Sequence, residues 1–336
     1  MRTRTQPSPP VERLIAPLRR RLLLTFSGQS EGVPSWQLAL EEGDDAGYFG
    51  PGSAVWAVHG GMSPIVGGIR ALLTQALHPG VLAGVVEHSD YRTDPVARLA
   101  GTIRWIFTVT YGDTAAAARA CAWVRRRHRP VRGTYTDAAG VTRAYSANDP
   151  ELEAWVHLAF TDAFLRTYEA LEGPVPGGAD RYVAEWARGG RLMGVRTPPL
   201  TERDLAERLA AYDDAGQLGG GPRLDEVVAF LRRPPLDPLL RPGYRLLFAA
   251  AIGTMPQRYL DLLGLERPSV GPVPLPTAVA AKATLAVVAR ALDPMPPSEA
   301  AARRRLARLG LGGQEPGGGE PGEQEPGRGE PDGGEG

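Results

Sequence analysis

The chain is poor in the residues that build the most recognisable sites. It has one cysteine, Cys121, among 336 residues, so an intramolecular disulfide and a cysteine-based zinc site are excluded. Cys121 lies in "AAAARACAWVRR", an alanine-rich helical pattern, and is expected to be a small buried apolar residue. There is one lysine, Lys282; every other basic residue is an arginine. With so much Ala, Gly and Pro, that bias reads as GC-rich codon usage before it reads as function. No apolar run reaches the roughly 18 residues of a transmembrane helix. The early stretch "LRRRLLLTFSGQ" holds only about five apolar residues, fewer than a secretory h-region. The expectation is a cytoplasmic protein with no stable membrane insertion. Neither H-E-x-x-H nor Glu-x-x-His occurs, which removes zincin and ferritin-type di-iron sites. A phosphate loop and a dinucleotide fingerprint are also missing.

The formal net charge is zero, but the charge is unevenly spread. The last 25 residues, from Gly312, carry seven acids and one base, Arg328. That leaves 37 basic against 31 acidic residues in the body, an excess of six. Such an excess gives no reason to expect nucleic-acid binding. The tail repeats a Gly-Glu-Pro theme without an apolar residue, so 312–336 is predicted to be disordered. The polar, Pro-rich residues 1–12 are predicted to be disordered too. Between them, 13–311 reads as one all-α domain, since no linker splits it; the sequence does not give its oligomeric state.

Helical signals recur along that body. "SPIVGGIRALLTQAL" has apolar residues at three- and four-residue spacing and stops at His78-Pro79. "DPVARLAGTIRWIFTVTYG" opens with Asp94 as cap and Pro95 at the first helical position. "DTAAAARACAWVRRRH" follows, capped by Asp113 or Thr114, and "NDPELEAWVHLAFTDAFLRTYEAL" starts at Asp149-Pro150. Later helices are predicted at 201–215, 224–232, 243–263 and 276–292. One short β-hairpin is predicted in "VRGTYTDAAGVTRAYS".

Several side chains are candidates for chemistry. Arg98 and Thr102 are four apart and share a helix face, where an arginine on a mostly apolar helix ordinarily snorkels or pairs with a carboxylate. His128 ends a helix among Arg125, Arg129 and Arg132. A protonated histidine at a helix C-terminus is the commonest reading, but these neighbours disfavour the extra charge. A neutral imidazole on a metal suits them better, if the arginines face anions. Haem offers both iron and propionates. Glu153 and His157 are i, i+4 and can be an ordinary side-chain pair. Gly28-Gln29-Ser30-Glu31-Gly32 fits G-x-S-x-G, a motif that needs a strand before it and a helix after it. A short strand at "LLLTF" is conceivable, yet "VPSW" is a poor helix start, so chance explains the match better than a serine hydrolase.

The segments "YFGPGSAVWAVHGG", "RALLTQALHPGVLAGVVEHSDYRTDPVARLAGTIRWIFTVTYGD", "RRRHRPVRG", "AYSANDPELEAWVHLAF" and "LMGV" resemble the MpaB / latex-clearing-protein (rubber oxygenase) catalytic-domain family, in order from about Tyr48 to Val195 and more weakly to about residue 300. The resemblance implies a helical fold with a globin-like core, a b-type haem, and O2-dependent oxidation such as cleavage of isoprenoid double bonds. It places Arg98 and Thr102 near the haem and makes His128, in H-x-x-V-R, the axial ligand, with His157 in "WVHLAF" the alternative. Arg125 and Arg132 become partners of the haem. Glu87 in "VVEHSD" is the candidate catalytic carboxylate. Gly101 stands where rubber oxygenases can carry a distal lysine, which implies an open or water-filled distal position. Those enzymes are secreted, whereas a cytoplasmic chain cannot reach polyisoprene, so the expected partners are O2 and an apolar, isoprenoid or prenylated small molecule. The competing class is a non-catalytic haem- or lipid-binding helical protein.

Overall fold

The computed structural model describes residues 9–292 and 295–311. The tail from Gly312 and residues 1–8, both expected to lack structure, lie outside that description. α1 (Pro9–Ser27) begins inside the stretch 1–12 that composition marked as unstructured. It runs through "LLLTF", which is therefore helix rather than strand. Leu18, Leu22 and Phe26 recur at helical spacing and pack with Val288 and Ala291. Ser30 lies exposed in a bend after this helix, so the strand–turn–helix needed for a serine nucleophile is absent there.

A short α2 (Ser35–Leu38) and a 3₁₀ turn (Ala39–Glu41) lead to α3 (Ala54–Gly60), whose N-cap Ser53 accepts from the Trp56 N–H. α4 (Ser63–Ala76) and α5 (Pro79–His88) are separated by Leu77-His78. Then come α6 (Pro95–Tyr111) and α7 (Thr114–His128), capped by Asp94 and Asp113. Both carboxylates accept a backbone N–H three residues on, at 3.0 and 2.7 Å, as caps do. The predicted hairpin is present as β1 (Arg132–Thr136) antiparallel to β2 (Thr142–Ser146), with Thr134 opposite Ala144. α8 (Pro150–Leu171) starts at Asp149. α9 (Ala179–Met193) ends at Gly194, whose φ of 106° is left-handed and open to glycine.

α10 (Glu202–Asp214) and α11 (Pro222–Arg232) follow as predicted. The single helix expected over 243–263 is two, α12 (Arg241–Gly253) and α13 (Gln257–Leu263). Pro256 between them has no N–H to continue the ladder. A second, unpredicted hairpin pairs β3 (Ser269–Val270) with β4 (Val273–Pro274). α14 (Thr277–Ala291) and α15 (Pro297–Arg308) complete the described chain.

The core is built on α4 against α8. Gly67 permits the close approach, since a Cβ there would meet Thr167 Oγ1 at 2.9 Å. Arg70 and Asp162 bridge the same two helices at 2.6 Å, both buried. Among the described residues no single helix is long and apolar enough to cross a membrane; α4 and α5 together pass on length and composition but meet at a bend of 108°.

Candidate functional site

α6 and α7 form an antiparallel pair joined at Gly112-Asp113, and this pairing sets which side chains meet. Trp105 faces Cys121 and, at the other end, Arg98 faces His128. Cys121 is buried as expected, and burial pushes its thiol up to about 11. It is a packing residue, not a nucleophile.

His128 is half-buried, and its Nδ1 is sealed from solvent without a hydrogen-bond partner. Burial lowers its pKa; the positive charge of Arg98 lowers it further, against the Ala147 carbonyl beside the ring. The imidazole at this helix end is therefore neutral at pH 7, despite the favourable end of the helix dipole. Arg98 donates from Nη1 to Ser89 Oγ at 2.6 Å. More than a third of the side chain stays open, yet desolvation pulls the guanidinium pKa down against the pull of Asp90. Thr102 is exposed one turn on, and its hydroxyl donates to the Arg98 carbonyl at 3.1 Å. Gly101 beside it has open space where a Cβ would stand. The first half of α6, from Ala97 to Arg104, is mostly exposed, Leu99 included.

The other candidates fall around this pair. Arg125 lies one turn before His128, and its charge acts on both Cys121 and Glu153. Arg132 turns back onto the Arg129 carbonyl at 3.3 Å, and its own carbonyl accepts from His88 Nε2 at 3.2 Å. Glu87 is engaged on both oxygens, by Tyr145 Oη at 2.7 Å and Arg223 Nη1 at 2.9 Å.

His157 sits apart, in the seam between α8 and α9. The residue is 7% exposed, and its Nε2 is buried without a partner. A Cβ on Gly190 would come within 3.0 Å of both ring nitrogens. One turn along the seam, Glu153 lies against Gly194 in the same way, at 2.5 Å. The two side chains share a face, as their spacing predicted, but are not hydrogen-bonded: Glu153 Oε1 is also an orphan. Burial raises the Glu153 carboxyl to about 7 against the pull of Arg125, and burial and Arg191 lower His157 to about 4. Both are therefore in or near their neutral forms at pH 7.

Sequence reasoning left His78 and His88 without a role and assigned none to His59. His78 is the N-cap of α5: its Nδ1 accepts from the Gly80 N–H at 3.1 Å, a capping use its place before Pro79 could have suggested. His59 is fully buried between Thr110 Oγ1 at 2.9 Å and Tyr182 Oη at 3.1 Å. Phe160, Phe164 and Trp186 pack their rings around it. No local pattern announces it, because its partners lie 51 and 123 residues away.

Compared with known proteins, the chain matches the family described as ER-bound oxygenase mpaB/B'/rubber oxygenase, catalytic domain, over residues 56–291. It belongs to this family. The match spans α3 to α14 and includes every candidate residue above. The family is one of oxygenases, and the all-α build agrees with what the sequence resemblance implied. No curated protein and no solved structure matches the chain.

Proposed function

We propose that this chain is a haem b-dependent oxygenase acting with O2 on an apolar small molecule of isoprenoid or prenylated type. The observation that carries the reading is His128: a neutral imidazole with a sealed, partnerless nitrogen, opposite Arg98 on the open half of α6. A buried polar atom left unpaired costs about 1–3 kcal/mol, so such an atom asks for a function.

The donor set fits haem better than a bare ion. Among the described residues no three of His, Cys, Asp and Glu come together as a metal cage. Haem brings four nitrogens of its own and needs one or two protein ligands. His128 would hold the iron of the haem. Arg98 and Arg125 form no ion pair among the described residues and would hold the propionates. No C-x-x-C-H exists for covalent attachment, so binding would be non-covalent.

Haem, when bound, supplies the iron that binds O2 and carries the oxidation. The chain's own contribution is electrostatic and spatial. The Arg98 charge stabilises an anion at the mouth of the site and keeps His128 unprotonated. Thr102 offers a hydroxyl that now closes on its own helix and can rotate toward a bound molecule. Leu99 and Ile103 give an apolar lining for an apolar substrate, while Gly101 leaves the space beside Thr102 free. Glu87, held by Tyr145 and Arg223, contributes first to bracing α5 against β2 and α11.

The test is an absorption spectrum of the protein produced with haem supply. A Soret band removed by acid–acetone extraction supports the reading, and colourless protein after reconstitution ends it. Turnover of an isoprenoid with O2 uptake separates the oxygenase from a protein that merely carries haem.

A further inference from the structure

The segment from Pro95 to Thr134 carries eight arginines and a single carboxylate, Asp113. That carboxylate is spent on capping α7. Facing the other way from α6 and α9, α7 exposes Arg119, Trp123, Arg126 and Arg127. Their spacing of four, seven and eight residues puts them on one helical face. None of the three arginines pairs with a carboxylate among the described residues. Trp123 is 55% exposed, the most exposed tryptophan among the described residues, and Arg127 lies over its ring at 5.8 Å.

We infer that this outer face of α7 docks on an anionic lipid bilayer. An indole sits well at headgroup depth, apolar body inward and N–H outward. Guanidinium groups reach past their apolar stems to phosphate oxygens and bind them as a fork. A lone exposed aromatic inside an unpaired cationic stripe joins those two needs. A nucleic acid would want a longer basic track or several stacking rings, and this face has one ring. The docking proposed is to the surface of the bilayer; among the described residues no single helix is long and apolar enough to span one. It does not depend on the haem reading, since the face lies outside the His128 site and can be tested on protein with or without the cofactor.

The experiment is flotation of the full chain with vesicles of phosphatidylcholine alone and of phosphatidylcholine with phosphatidylglycerol. Binding is expected only to the second, and raising salt from about 0.1 to about 0.5 M, which shortens the screening length, should release it. Replacing Arg119, Arg126 and Arg127 together by Gln should weaken partitioning on the order of 100-fold. Trp123→Ala should weaken it severalfold, with the melting temperature of both variants unchanged because the sites are exposed. Failure to float with either vesicle, or flotation indifferent to the triple variant, overturns the inference. Flotation that appears only after residues 312–336 are deleted overturns it too, and assigns the face to the chain's own acidic segment.

Discussion

The ring of His157 rests directly on Gly190, so close that a methyl group there would stand 2.8 Å from Cε1. Glycine in mid-helix costs roughly 0.5–1 kcal/mol relative to alanine, and this one is retained where the seam has no room. Gly190→Ala should therefore destabilise the protein by about 1–3 kcal/mol net of propensity, the usual range for overpacking. Gly101→Ala, where the space is open, should instead stabilise the haem-free protein by about 0.5–1 kcal/mol. Thermal or urea unfolding of the two variants gives the comparison, and a stabilised Gly190→Ala would show that the seam yields.

The two histidine candidates predict different spectra. His128→Ala should lose haem or shift its Soret band, and added imidazole should restore the spectrum by refilling the space. His157→Ala should keep the ligand and lose some packing. If His128→Ala retains a wild-type spectrum while His157→Ala turns colourless, the ligand moves to α8.

Stability should fall on mild acidification. His59 is held neutral, its pKa pushed by burial from 6.5 to about 3. Its contribution is whole above pH 6.5 and is lost as pH falls toward 3, because the unfolded chain takes up the proton first. At pH 5 that amounts to about 2 kcal/mol. Glu153 runs the other way, since its raised pKa adds stability on the acid side. The difference in slope between wild type and His59→Gln, measured from about pH 7.5 to about pH 5 by urea unfolding, isolates the histidine. Equal slopes would mean that His59 titrates in the fold as it does in the unfolded chain.

Arg305 is fully buried and donates to the carbonyls of Leu40, Asp45, Ala46 and Tyr111. Removing the donor leaves buried acceptors unpaired. Arg305→Ala should cost about 3 kcal/mol or more, seen as a lower urea midpoint. By contrast, deletion from Gly312 removes no apolar residue and should leave the midpoint within error.

Much of this fold could be read one helix at a time. Asp94, Asp113 and Asp149 mark helix starts because a cap and its N–H lie within three residues of each other. The apolar spacing before His78 is equally local. Arg98 and Thr102 could be placed on one face for the same reason. What could not be read joins distant segments. His59 finds Tyr182, and Arg305 finds Leu40, only after the helices pack. The break at Pro256 is masked because apolar periodicity continues across it, although proline lacks the N–H a continuous helix needs. The spacing of Glu153 and His157 suggested a mutual pair, yet each turned to a glycine of α9 instead. The glycines that make this possible, Gly190 and Gly194, look in the sequence like weak points of a helix.

The Arg305 clamp also redraws where this protein can be cut. The segment shared with the oxygenase family runs from residue 56 to 291, yet Arg305 lies after it and grips carbonyls at Leu40, Asp45 and Ala46 before it. The two flanks close on each other across the C-terminal end of α6, where Tyr111 offers the fourth carbonyl. A fragment trimmed to the shared segment would keep every candidate catalytic residue and lose the buckle that holds α6 in place. The packing of this chain thus reaches past the matched segment at both ends.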